Sequence, residues 1–187
     1  MDELAALAAD AAGGDPLAAA ALVRETQSDV WRLCAALGDA GTADDLTQET
    51  YLRAFGSLHR FEGRSSVRTW LLAIARRVCA DAVRTRRRRR LTMVPDDAAL
   101  AEVPAPGGAD PVGESAGVAD LLARMDPDRR EAFVLTQLLG LSYAEAAEVA
   151  GCAVGTIRSR VARGRADLIG SLARVDEDDD EGDVAHR

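Results

Sequence analysis

Two Asp-Pro pairs, Asp15-Pro16 and Asp126-Pro127, each open a series of apolar residues at helical spacing, and the chain between those two blocks dissolves into VPDDAALAEVPAPGGADPVGESAG. A capping Asp followed by Pro starts a helix, because the N–H that Pro lacks is one the first turn leaves unsatisfied anyway. The intervening Pro, Gly, Ala and acidic residues cannot bury enough apolar surface to hold a fold. The expectation is therefore an all-α chain of two small helical domains joined by a flexible linker, an arrangement for which 187 residues suffice. Its parts are an N-terminal extension (residues 1–14), a first domain (15–90), an acidic Pro/Gly-rich linker (91–117), a second domain (118–174) and an acidic disordered tail (175–187).

In the first block, Leu22, Thr26, Val30, Leu33 and Leu37 repeat at helical spacing up to Gly38, a natural stop. Thr42 is placed to cap a second helix, with Asp45 at the capping-box position and Tyr51, Ala54, Phe55 and Leu58 as its apolar series. After the loop HRFEGRSS, Ser66 can cap a third helix whose buried stripe is expected to be Val67, Trp70, Leu71, Ile74, Val78 and Ala82, and which ends in RTRRRRR. The second block begins with a short helix over residues 119–125. Phe133, Leu135, Leu138 and Leu139 then lead to Gly140, Ser142 and Glu145 form a capping box, and Gly151 closes that helix before a last one carries Ile157, Val161 and Leu168 inward.

The formal charge of −8 conceals an uneven distribution. Residues 1–52 hold ten acids against two arginines, whereas residues 53–90 hold twelve arginines against Glu62 and Asp81 alone. Residues 154–174 carry five arginines and one acid, Asp167, between two strongly acidic stretches. Two basic islands in an acidic chain suit two contacts with one polyanion, since the planar guanidinium pairs with phosphate and stacks on bases. Every basic residue is Arg, which excludes chemistry that needs a P-loop, Schiff-base or general-base lysine. Cys34, Cys79 and Cys152 are widely spaced and the only histidines are His59 and His186, so neither a disulfide framework nor a zinc site is expected. The N-terminus lacks the order of a signal peptide and no apolar run is long enough for a membrane span, so the expected location is cytoplasmic.

Within LSYAEAAEVAGCAVGTIRSRVARGR, two short helical patterns meet at Gly151, and Ile157 follows that Gly by six residues, the spacing of a helix-turn-helix. With Ala147 allowing close crossing and Ile157 and Val161 sealing the joint, the residues left facing outward are Thr156, Arg158, Ser159, Ala162 and Arg163. Such a row can enter a major groove, where Arg reads guanine edges.

Three stretches, DDLTQETYLRAF (residues 44–55), RSSVRTWLLAIARRVCAD (64–81) and LLGLSYAEAAEVAGCAVGTIRSRVARGRADL (138–168), together resemble bacterial RNA polymerase sigma factors of the extracytoplasmic-function (ECF) type, most closely the actinobacterial sigma-C type. The resemblance implies a sigma region 2 bundle and a sigma region 4 helix-turn-helix with no cofactor, metal or small-molecule substrate, and no catalytic residue. It implies core RNA polymerase as partner, through the clamp helices of the largest subunit and the flap of the second-largest. Asp44, Asp45, Gln48, Glu49, Leu52 and Arg53 match the docking helix. Phe61, Arg64, Ser65 and Ser66 match the loop that captures a base flipped from the non-template strand, and Arg76, Arg77 and Arg84 follow the phosphates beside the melting point. Promoter DNA is thus read at the minus-10 element by the first domain and at the minus-35 element by the second. Arg77 stands where some members carry a neutral polar residue, and family habit adds an anti-sigma factor. The rival readings are a stand-alone helix-turn-helix regulator, which would ordinarily dimerise on a palindrome, and a metal-dependent nuclease using Asp44, Asp45 and Glu49, whose spacing does not converge on one ion.

Overall fold

The computed structural model describes residues 3–38, 40–92 and 115–182, and every regular element among them is helical. The greater part of the expected linker, residues 93–114, and residues 183–187 of the expected tail lie outside the described residues.

The first unit comprises α1 (Glu3–Ala12), α2 (Pro16–Leu37), a 3-10 turn (Ala40–Thr42), α3 (Ala43–Ser57), a second 3-10 turn (Leu58–Arg60) and α4 (Val67–Thr92). α2 starts where the sequence indicates: the Asp15 carboxylate accepts the Leu17 N–H at 2.8 Å, with Pro16 in the first turn. It stops at Gly38 for a different reason than left-handed geometry, since φ there is −93°. A Cβ at Gly38 would stand 2.8 Å from the backbone carbonyl oxygen of Cys34 in the last turn of α2, and 2.4 Å from Leu46 Cδ1 of α3, so the fixed carbonyl requires Gly and the leucine adds to the crowding. The expected Thr42 side-chain cap is not made. The 3-10 turn runs straight into α3 and leaves Thr42 with a ψ of 4°, outside the extended geometry a cap needs. Ser66, by contrast, caps α4, its Oγ accepting the Thr69 N–H at 3.0 Å.

α4 lies against both α2 and α3, so its buried surface is wider than the expected stripe: Leu72, Ala75 and Cys79 join Val67, Leu71, Ile74 and Val78, while Trp70 and Ala82 are only half-buried. With Leu22, Val30 and Leu33 of α2 and Leu46 and Ala54 of α3 they form an aliphatic core, each buried Leu, Ile or Val contributing about 1.5–3 kcal/mol of transfer free energy. The core also encloses polar groups in satisfied pairs. Tyr51 hydroxyl meets Thr26 Oγ1 at 2.7 Å, and Thr26 donates in turn to the Leu22 carbonyl; burial pushes the Tyr51 phenol pKa up. Cys34 and Cys79 are fully buried neighbours on α2 and α4. The hydrogen bond from Cys79 pulls the Cys34 thiol pKa down against the opposing effect of burial. Across the helices, Arg68 of α4 donates to Asp29 of α2 at 2.7 Å. Residues 1–14, in sequence terms only an extension, hold α1, which packs on α2 and buries Ala8.

The second unit comprises α5 (Ser115–Arg124), α6 (Pro127–Phe133), a π turn (Val134–Leu138), α7 (Tyr143–Ala150) and α8 (Val154–Gly182). Asp126 caps α6 by accepting from the Asp128 and Arg129 N–H groups, and Ser142 and Glu145 close a reciprocal capping box at α7. The π turn carries one residue more per turn than an α-helix and shifts the register. Val134 is buried, whereas Leu138, one of the apolar residues that lead to Gly140, is 44% exposed. Gly140 and Gly151 adopt φ of +67° and +66°, the left-handed conformation both turns need. At Gly164 a Cβ would come within 3.3 Å of Met125 Sδ and 3.6 Å of the Arg129 carbonyl, so Gly lets α8 press on the α5–α6 corner. Arg129 clamps the same contact, its Nη1 donating to both carboxylate oxygens of Asp167 at 2.9 and 2.8 Å. The half-buried Arg130 donates to the carbonyls of Ala123 and Met125, satisfying the end of α5, and burial lowers its pKa. α8 continues past Arg174 into the acidic stretch as far as Gly182, where the sequence indicates a disordered tail.

Candidate nucleic-acid interface

The fold sorts the arginines of α8. At about 100° per residue, Ile157, Val161 and Gly164 fall on one side of the helix and all three are buried. Thr156, Arg158, Ser159, Ala162 and Arg163 share the opposite side. Arg158, Ser159, Ala162 and Arg163 are exposed there, and Thr156, in the first turn, is half-buried. Among the described residues no hydrogen bond or ion pair engages Arg158 or Arg163. Arg160 and Arg165 flank the buried stripe and fold back: Arg160 pairs with Asp128 at the start of α6, and Arg165 donates to Gln137 Oε1 at 2.8 Å. Of the four arginines in the first half of α8, Arg160 and Arg165 are therefore fasteners of the unit, and Arg158 and Arg163 are presented outward.

In the first unit, Gly63 with φ +69° bends the loop ahead of α4, and the four loop candidates lie together there. Phe61 is half-buried, its ring 5.1 Å from Trp70 and tilted by 49°. Arg64 is almost wholly exposed, 3.2 Å from Glu62. Ser65 is half-buried, and the Ser66 hydroxyl is engaged in capping α4. Along α4, Arg77 and Arg84 lie one above the other in a line that begins at Trp70, since a seven-residue step returns to within about 20° of the same face. Arg76, half-buried, sits about 100° round from Arg77. The Phe61–Trp70 pair thus forms the aromatic head of a basic line, a continuity that the seven-residue spacing of Trp70, Arg77 and Arg84 could have signalled.

The α3 candidates form a third surface. Asp44, Asp45, Gln48, Leu52 and Arg53 are exposed and Glu49 half-exposed, while Leu46, Thr50, Tyr51 and Ala54 face the core. Leu52 is 70% exposed, and Phe55, placed in the apolar series by its spacing, lies at the edge of the same face, stacked on Tyr51 at 6.2 Å. Beside it, a groove of about 700 Å³ between α2 and α3 contains Trp31, whose indole N–H donates to Asp44 Oδ1 at 2.8 Å. Two of the acids invoked in the nuclease reading are thus engaged elsewhere, Asp44 with Trp31 and Glu49 with Arg53.

Residues 22–89 match the family described as Sigma-70 region 2, and residues 116–168 that described as Sigma-70, region 4. The chain belongs to the sigma-70 family. It is similar to the ECF RNA polymerase sigma factor SigC of Mycobacterium tuberculosis, with 52% identity over 181 residues that cover 95% of this chain and 94% of that one. SigE of Mycolicibacterium smegmatis is 37% identical over 82% of this chain and 61% of its own. Among solved structures, CnrH in complex with the cytosolic domain of CnrY superposes with a TM-score of 0.71 at 30% identity, covering 92% of this chain and 99% of that one. RpoE of Bartonella quintana, in complex with the anti-sigma factor NepR, superposes at 0.66 and 30% identity, covering 81% and 94%. In this sigma factor region 2 therefore carries the aromatic-headed basic line and the α3 face, and region 4 carries the outward row on α8.

Proposed function

We propose that this ECF sigma factor directs core RNA polymerase to its promoters through three separate surfaces. The α3 face, Asp44, Asp45, Gln48, Glu49, Leu52 and Arg53 with Phe55 added, docks on the clamp helices of the largest subunit; an exposed leucine and aromatic ring among polar groups suit a helical partner. Region 4 rests on the flap of the second-largest subunit and lays α8 in the major groove of the upstream element, with Arg158 and Arg163 on base edges and Thr156, Ser159 and Ala162 beside them. The loop from Phe61 to Ser66 takes a base from the melted downstream element, and Arg76, Arg77 and Arg84 track the adjoining phosphates. Unstacking that base costs a few kcal/mol, which pocket and backbone contacts offset. Each region binds weakly alone, and polymerase raises their effective concentration on a single promoter.

The observation that carries this reading is the division of labour on α8, where the arginines on the outward face lack intramolecular partners among the described residues while the flanking ones are fastened inward. The protein acts in the cytoplasm, supplies no catalytic group of its own and binds an anti-sigma factor, a reading supported by its likeness to RpoE of Bartonella quintana, which is solved in complex with the anti-sigma factor NepR. Residues 15–90 and 118–174 carry the proposed contacts, inside units that α1 and the start of α5 extend at their N-terminal ends. The test is reconstitution with bacterial core polymerase on a library of promoter sequences. Transcripts starting downstream of a shared pair of elements are expected, and a chain that fails to bind core polymerase, or binds without starting any transcript, would end the proposal.

A further inference from the structure

Among residues 53–90 the only acids are Glu62 and Asp81, set against twelve arginines. Asp81 lies between Arg77 and Arg84 in sequence and close to both around the helix, within the basic line of α4. Its carboxylate is shared between two helices: Arg53 of α3 donates to Oδ2 at 2.9 Å, and Arg84 donates to Oδ1 at 2.5 Å. Arg53 also holds Glu49 at 2.7 Å, so a chain of charge runs Glu49–Arg53–Asp81–Arg84 from the proposed docking face to the proposed DNA track. The two guanidinium groups, Arg53 first and Arg84 second, hold the Asp81 carboxyl below the usual carboxylate range.

The Asp81 carboxylate takes an Nη2 donor of Arg84 that a DNA phosphate would otherwise accept, because a guanidinium recognises both oxyanions through the same N–H groups. We propose that Asp81 is a positioning residue that acts as an internal phosphate substitute: it holds Arg84 against α4 in the absence of DNA and must be displaced before Arg84 engages the backbone. This rests on reading α4 as the DNA track. The displacement lowers the affinity of region 2 for DNA in general and moderates binding away from promoters, where no melted strand is present to compensate.

The test uses the full-length chain and a fluorescein-labelled single-stranded DNA of mixed sequence, with anisotropy followed across a NaCl series. Asp81→Asn frees Arg84 and is expected to tighten binding about two- to fivefold at low salt, the scale of an exposed ion pair. It is also expected to steepen the logarithmic salt dependence by about 0.7, the increment for one added phosphate contact on a single strand. Asp81→Glu keeps the carboxylate and is expected to behave as the natural chain. In an Arg84→Ala background the gain from Asp81→Asn is expected to vanish. Unchanged affinity and slope in Asp81→Asn would overturn the proposal, as would a gain that persists without Arg84, since that would be the generic effect of one fewer negative charge. Failure of the underlying reading looks different: an Arg77→Ala, Arg84→Ala chain that binds DNA as tightly as the natural one would remove α4 from the track, and the role of Asp81 with it.

Discussion

α4 of region 2 and α8 of region 4 are both long, arginine-bearing helices at the heart of their units, yet they dispose of their charge differently. α8 separates fastening from presenting: Arg160 and Arg165 hold the unit together, and Arg158 and Arg163 meet no intramolecular partner among the described residues. On α4 the roles overlap, for Arg84 lies in the outward basic line and is nonetheless held by Asp81. The difference matches what each would bind. A helix entering an intact major groove reads fixed edges and gains from side chains already free to reach them. A helix beside a melting duplex would bind a strand that exists only after opening, and the pairing proposed for Asp81 would discourage it from gripping closed DNA.

The largest test of this contrast is of region 4 as a unit. Ile157→Ala removes a fully buried side chain at the helix-turn-helix joint and is expected to cost about 2–5 kcal/mol. Both tryptophans, Trp31 and Trp70, lie in region 2, so the fluorescence transition should stay in place while amide exchange in α7 and α8 accelerates. A fluorescence midpoint that moved in step would show that the two regions unfold together. Next in size, Arg158→Ala or Arg163→Ala should lose about 1–3 kcal/mol of upstream-element discrimination without loss of stability. Arg160→Ala should do the reverse, loosening α6 from α8 while leaving base preference intact, and an exchange of those phenotypes in binding and melting assays would erase the division of labour. Leu52→Ala should weaken core polymerase binding by about 1 kcal/mol or more in a competition assay, with folding stability changed by no more than about 0.5 kcal/mol. The smallest effect is at a cap: Ser142→Ala should lower the stability of region 4 by about 1 kcal/mol in denaturant titration.

What could be read from the sequence was what is decided within a few residues. Asp15, Ser66, Asp126 and the Ser142–Glu145 pair cap helices because their partners are two or three positions away. Gly140 and Gly151 turn because the next helix must start at once. Thr42 misled, since a 3-10 turn upstream removes the geometry that a capping residue requires. α1 gave little signal because its Ala-rich face depends on packing against α2 rather than on a cap or a strong apolar stripe. The exposure of Leu138 has no sequence signal, since the π turn interrupts the regular helical spacing of its neighbours. The Arg68–Asp29 and Arg129–Asp167 pairs join residues nearly forty positions apart, and only the crossing of helices brings them together. The candidate interface shows the same limit: spacing located the outward row of α8, but it could not reveal that Asp81 occupies Arg84 or that Trp31 holds Asp44.

The three thiols differ in burial, Cys152 standing half-accessible at the turn into α8 while Cys34 and Cys79 are sealed between α2 and α4. An alkylating reagent should therefore mark the helix-turn-helix in the native protein and reach the other two sulfurs only when those helices part. The natural chain thus carries its own clock for breathing of the polymerase-docking bundle, and mass spectrometry can read it, in the holoenzyme as well as alone, without any engineered label.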